Sequence, residues 1–134
     1  MVYFTYKGAK NKNAHVYAVN ASGNLEWSKE IGTNQLLTYN GVTLGADGYL
    51  YVGHSGGKKV WKLDTNSNGA LTEVQNVGQN VRAGVTIGPD SRLYFGTVES
   101  NNIGSVKAVT VNTISEPSSR SMRGGDLQGT NRQK

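Results

Sequence analysis

Cysteine is absent from the 134 residues, so no disulfide can staple this chain and no thiolate can hold a metal. The absence fixes no compartment, because a cysteine-free chain is stable under either redox condition. No run approaches the roughly 18–20 apolar residues of a spanning helix, and the start, MVYFTYKGAK, has no basic stretch leading into a long apolar one. The sequence is therefore expected to be soluble, with no membrane span and no export signal, unless one was removed from a longer precursor. Histidine is scarce: His15 and His54 stand alone. A zinc or iron site wants about three or four His, Cys or carboxylate ligands, and nothing joins this pair. Both are expected at strand ends on the surface, with no metal bound.

Only two prolines occur, and hydrophobic residues make up 36%, low for a globular domain. Yet 18 glycines and seven tyrosines suit twisted sheets joined by tight turns better than disorder. A net charge of +5 raises the question of a nucleic-acid partner. The bases are scattered, as Lys7, Lys10 and Lys12, then Lys58, Lys59 and Lys62, then Arg120, Arg123, Arg132 and Lys134. Solvated loop faces explain them, and no nucleic-acid partner is expected.

What the chain does have is a sentence begun twice. GVTLGADGYLYVG at 41–53 returns as GVTIGPDSRLYFG at 84–96, so that Gly41 maps to Gly84, Asp47 to Asp90 and Leu50 to Leu93, 43 positions on. A fixed period of that size means a repeat architecture. The unit consists of short strands and turn residues without a helical run, which points to blades of a β-propeller. The chain holds about three such units, whereas a closed propeller typically has about four to eight.

Taken in order, 2–6 (VYFTY), 15–20 and 25–31 read as strands, with a polar loop at 7–14 and a turn at Ser22–Gly23. Residues 32–40 connect to a second unit with strands at 41–45, 49–53, 59–64 and 70–76. Asp47 and Gly48, and in the third unit Asp90, stand at predicted reversals, where a short carboxylate can accept backbone N–H bonds and Gly tolerates positive φ. Asp64 is read in the same way. Turn chemistry therefore explains all three aspartates better than acid–base catalysis, and the string GADG lacks the strand–helix context of a phosphate loop. The third unit runs from 84 to 112 with an enlarged loop at 98–104. Alternation puts Leu50 and Val52 on one face of their strand and Tyr49 and Tyr51 on the other; together with Trp27, Trp61 and Tyr94 these aromatics are expected to fill the wedges between sheets, an aromatic ligand platform being the alternative.

The recurring apolar strand, Ala/Pro-Asp-Gly/Ser turn, Leu-Tyr-Val/Phe-Gly strand and following Val-Tyr/Trp-x-Leu/Val-Asn/Asp strand resembles the repeat of the pyrroloquinoline-quinone-like (PQQ-like) β-propeller superfamily. The likeness covers residues 2–112. In VYAVNASGNLEW, Ala18, Asn20, Gly23 and Trp27 stand where the family repeats an alanine, an acidic or amide residue, a glycine and a tryptophan. The resemblance implies that Trp27 docks between neighbouring blades. The second unit keeps Leu63, Asp64 and Gly69 but has no tryptophan at the equivalent of Trp27, and the third loses the motif after Val109, so docking there should be weaker or different.

The expected organisation is an all-β chain with 1–112 as propeller blades: 1–40 partial, 41–83 complete and 84–112 partial. Residues 113–134 form a polar segment, either a flexible tail or an ordered closing piece. The second possibility rests on Met122, Gly125, Asp126, Gln128, Thr130 and Arg132, which resemble a segment flanking bacterial propellers of this kind, although the Trp-Pro pair of that segment is missing. Open strand edges at both ends would promote aggregation, so self-association into a dimer of about six blades, or further blades of a longer chain, is expected. The true quinoprotein pocket needs a vicinal disulfide, a calcium site and more blades; no cofactor is expected. The chain is expected not to be an enzyme but a non-catalytic scaffold or binding module for protein, peptide or glycan partners. Its most variable surface would be the loops bearing Lys7, Lys10 and Lys12, and Glu99, Asn101 and Asn102. The alternative is an accessory part of a quinoprotein-like or hydrolase-associated enzyme. The resemblance favours an extracytoplasmic location.

Overall fold

Period-two alternation with glycine- and asparagine-rich turns dictates antiparallel hairpins, and the chain is built of little else. The computed structural model describes residues 1–6, 13–32, 41–99 and 101–114. Eleven strands in this part form three antiparallel sheets, none of them closed, with a single 3-10 turn at Thr65–Ser67. The chain is all-β. No helix among the described residues is long and apolar enough to cross a membrane.

The first sheet holds β1 (Val2–Tyr6), β2 (Ala14–Val19) and β3 (Leu25–Gly32) in that order. The middle sheet holds β4 (Thr43–Leu44), β5 (Tyr49–His54), β6 (Lys59–Asp64) and β7 (Ala70–Asn76). The third is centred on β10 (Arg92–Val98), flanked by β11 (Gly104–Thr110) and, on its other side, by the two-residue strands β8 (Asn80–Val81) and β9 (Thr86–Ile87). Asn80 and Val81 lie within the expected 41–83 unit but pair with β10. The third sheet therefore begins before Gly84.

The sheets repeat in register. Tyr3, Tyr51 and Tyr94 face Ala18, Lys62 and Ala108 across their hairpins, and Thr5, Gly53 and Gly96 face Val16, Val60 and Val106. The first sheet is thus a copy of the other two, although an offset of 43 does not reveal it: residues 7–13 join β1 to β2 where residues 55–58 join β5 to β6. The expected enlargement at 98–104 is slight, because β10 runs on to Val98 and β11 starts at Gly104.

Two apolar seams hold the stack. In the first, Ala14, Val16, Ala18, Trp27 and Ile31 of the first sheet meet Leu50, Val52 and Leu63 of the middle one. In the second, Tyr51 and Val60 on the opposite face of the middle sheet meet Val81, Val85, Ile87, Leu93 and Phe95. The alternation of Leu50 and Val52 against Tyr49 and Tyr51 is therefore the division between the two seams. At about 1.5–3 kcal/mol for each fully buried large apolar side chain, these seams dominate over the short β8 and β9 ladders.

Candidate binding cleft between two sheets

The turn aspartates are tied down by tyrosines. Asp47 Oδ1 accepts from the Tyr49 N–H at 3.3 Å, while Asp47 Oδ2 accepts from the Tyr51 hydroxyl at 2.9 Å. Asp90 repeats this with the Arg92 N–H at 3.3 Å and the Tyr94 hydroxyl at 2.6 Å. Gly48 and Ser91 close the two turns with positive φ of 79° and 60°. Burial, then the hydrogen bond to Asp47, pushes the Tyr51 phenol up, whereas the Tyr94 bond pulls the Asp90 carboxyl down. Asp64 caps the 3-10 turn, accepting from the Asn66 N–H at 2.9 Å and the Ser67 hydroxyl at 2.8 Å. The tyrosine partners were readable from the Asp-x-x-x-Tyr spacing that both units share.

The turn of the middle sheet has one more neighbour. Beyond β11 the chain crosses onto it, where the Ile114 carbonyl accepts from the Ala46 N–H at 2.8 Å and Thr113 Oγ1 accepts from the Asp47 N–H at 3.2 Å. The start of the expected 113–134 segment is thus bound to the middle sheet; Met122 to Arg132, with the rest of that segment, lie outside the described residues. In the third unit Pro89 stands in place of Ala46 and has no N–H to offer.

The four docking candidates of the first sheet separate into two pairs. Ala18 is fully buried and faces Trp27 across the ladder. Asn20 shapes the exposed hairpin, its Oδ1 accepting from the Ser22 and Asn24 N–H groups at 3.0 Å each, with Gly23 at φ 82°. Trp27 is only 9% exposed and lies against Gly69 of the middle sheet, where an added Cβ would stand 2.7 Å from Cζ3 of the indole. The ring also leans on Tyr3, with centroids 6.0 Å apart. Gly69 has φ 73°, so both its backbone and its lack of a side chain serve this contact.

The second seam lacks such a plug. The register that sets Trp27 opposite Ala18 sets Thr72 opposite Lys62, the same position one sheet on. A cleft of about 180 Å³ opens there, between Tyr51, Lys62, Thr72 and Val74 on the middle sheet and Thr110 to Asn112 at the end of the third. Its wall carries one cation: Lys62 Nζ sits 4.0 Å over the Tyr49 ring. A second, more polar cleft of about 360 Å³ lies at the other end of this seam, among Lys58, Gln79, Asn80 and Glu99.

His54 departs from the sequence expectation. It is 3% exposed, wedged against Gly32 and Gly57, neither of which leaves room for a Cβ. Its Nδ1 accepts from the Trp61 indole N–H at 3.3 Å, so the neutral ring carries its proton on Nε2, which meets no partner among the described residues. Burial, reinforced by the nearby Lys59 charge, lowers its pKa. Gly57, three residues on, and Gly32, on another sheet, make the space together, and no local pattern announces the second. His15, half-buried, sits 3.1 Å from the Asn13 carbonyl through Nδ1 and leans on Tyr17.

The expected loop surface is a compact hairpin where it is described. Asn101 Oδ1 accepts from the Ile103 N–H at 3.2 Å, and Asn102 takes φ 62° as its N–H donates to the Glu99 carbonyl at 3.0 Å. These asparagines build the turn, and Glu99 faces the larger cleft. Lys7, Lys10 and Lys12 lie outside the described residues. Among those described, no group of three or more His, Cys, Asp or Glu residues could hold a metal. Comparisons with family models, with curated proteins and with solved structures returned no match.

Proposed function

We propose that this chain is a non-catalytic scaffold of propeller-type, PQQ-like units that binds protein or peptide partners and completes its stack with a second copy. The groups best suited to acid–base work support the non-catalytic part. Asp47, Asp64 and Asp90 are committed to turns, and His54 is buried against Trp61.

The observation that carries the reading is the character of the two outer faces. Val2 and Phe4 occupy the positions of Leu50 and Val52, facing Val19 and Tyr17 as those face Leu63 and Trp61. Leu50 and Val52 are fully buried, whereas Val2 and Phe4 are 60% and 44% exposed. At the opposite end Val106 repeats Val60 and is 79% exposed where Val60 is fully buried. One end of the stack therefore presents one half of the inner seam, and the other end presents the complementary half. A contact of this kind is head-to-tail, and it closes when two copies exchange both ends.

Light scattering after gel filtration tests it. The expected mass is twice that of the chain, and Val106→Asp or Phe4→Asp alone yields monomers that keep the native circular dichroism. Mixing the two variants restores a dimer through the one contact left intact. A monomeric parent chain, or dissociation by only one of the two substitutions, overturns the head-to-tail arrangement.

A further inference from the structure

We infer that the 180 Å³ cleft between the middle and third sheets is a socket for an aromatic side chain of a peptide partner. The inference rests on the binding-module reading but not on the contact between copies.

The repeat itself supplies the argument. In the first seam the position facing Ala18 is a tryptophan, whose indole leans on Tyr3 and lies against Gly69 in the loop after β6. In the second seam the same position is Thr72. The surroundings persist in part: Tyr51 stands in for Tyr3, and Thr110 to Asn112 lead out of β11 as Asp64 to Asn66 lead out of β6, while Lys62 takes the place of Ala18. The tyrosine wall beside the indole therefore recurs, and a threonine stands where the ring would be.

Size and chemistry agree. An apolar cavity of roughly 150 Å³ accommodates a benzene ring, and the cleft offers about 180 Å³. Tyr51 and Val74 give the lining apolar surface, while Lys62, Thr72, Thr110 and Asn112 bring polar groups that suit the main chain next to an aromatic residue. Residues 115–134, which follow the third sheet in sequence, contain no Phe, Tyr or Trp and so offer no ring of their own to this socket.

The probe is N-acetyl-tryptophanamide, titrated into the 15N-labelled chain, with N-acetyl-leucinamide and methyl glucoside as comparisons. Saturable shifts are expected at the amides of Thr72, Val74, Thr110 and Asn112, with a dissociation constant on the order of 1 mM, as befits so small a ligand. Thr72→Trp fills the socket from within and should weaken binding at least tenfold, while Thr72→Val retains it; unchanged Leu50 and Leu63 signals certify the fold of both variants. The socket is overturned by shifts confined to other residues, by Thr72→Trp binding as well as the parent, by the absence of shifts at the solubility limit, or by methyl glucoside producing the same shifts. Binding at another site, such as the cleft beside Glu99, overturns the socket and leaves the module reading standing. The module reading falls if neither the tryptophan probe nor the sugar binds anywhere and the chain is also monomeric.

Discussion

The Tyr51 hydroxyl reaches back four residues to donate to the Asp47 carboxylate at 2.9 Å, closing a turn whose backbone is already closed by the Gly48 N–H bonding the Gly45 carbonyl at 3.0 Å. Tyr94 and Asp90 repeat the relationship at 2.6 Å in a more exposed setting. Burial separates the two, since Tyr51 is 1% exposed. Tyr51→Phe is expected to destabilise the chain by about 1.5–3 kcal/mol, the usual cost of a lost hydrogen bond to a charged group. Tyr94→Phe should cost less than about 0.5 kcal/mol, as at other solvent-facing positions. Urea unfolding of both variants measures the difference.

Gly69→Ala meets two penalties, a Cβ at positive φ and a collision 2.7 Å from the Trp27 ring. A cost of about 2–4 kcal/mol is expected from strain and overpacking together. Gly48→Ala separates them, because at φ 79° its Cβ would find its nearest neighbour at 3.7 Å. It should cost only the backbone part, about 1 kcal/mol. Equal losses in thermal unfolding would show that the indole yields freely.

His54 sets a pH dependence. Its pKa is lower in the folded chain than the ordinary 6.5, so the unfolded chain takes up the proton first as pH falls. Stability is full above about 6.5 and declines between there and the depressed folded value. Asp90 acts in a separate window, because its depressed carboxyl loses stabilisation only as pH falls through the carboxylate range. His54→Gln should therefore flatten the urea midpoint between about pH 7 and 5 while leaving the acid limb in place.

His54 is also the residue that the sequence misplaces. Much of the architecture follows from local pattern: the repeated strand faces and the turn aspartates. Strand alternation and turn chemistry are short-range properties, so Leu50, Asp47 and Gly48 declare themselves. His54 does not, because its burial depends on Gly32 and Gly57, and Gly32 lies on another sheet. The pairing of Asn80–Val81 with β10 is likewise hidden, since two residues are too few to show a period. The cleft was half legible: the missing tryptophan of the second unit could be seen, but its place opposite Lys62 required the register of the ladder.

Where Thr113 and Ile114 cross back to Ala46 and Asp47, the chain leaving the third sheet is fastened to a hairpin that the middle sheet formed some 66 residues earlier. The middle hairpin cannot open at that end without first letting go of the later segment. Amide exchange at Ala46 and Asp47 should accordingly run at the pace of the third sheet rather than that of an ordinary exposed turn. Thr113→Val, which removes the acceptor for the Asp47 N–H, would release that amide to exchange on its own.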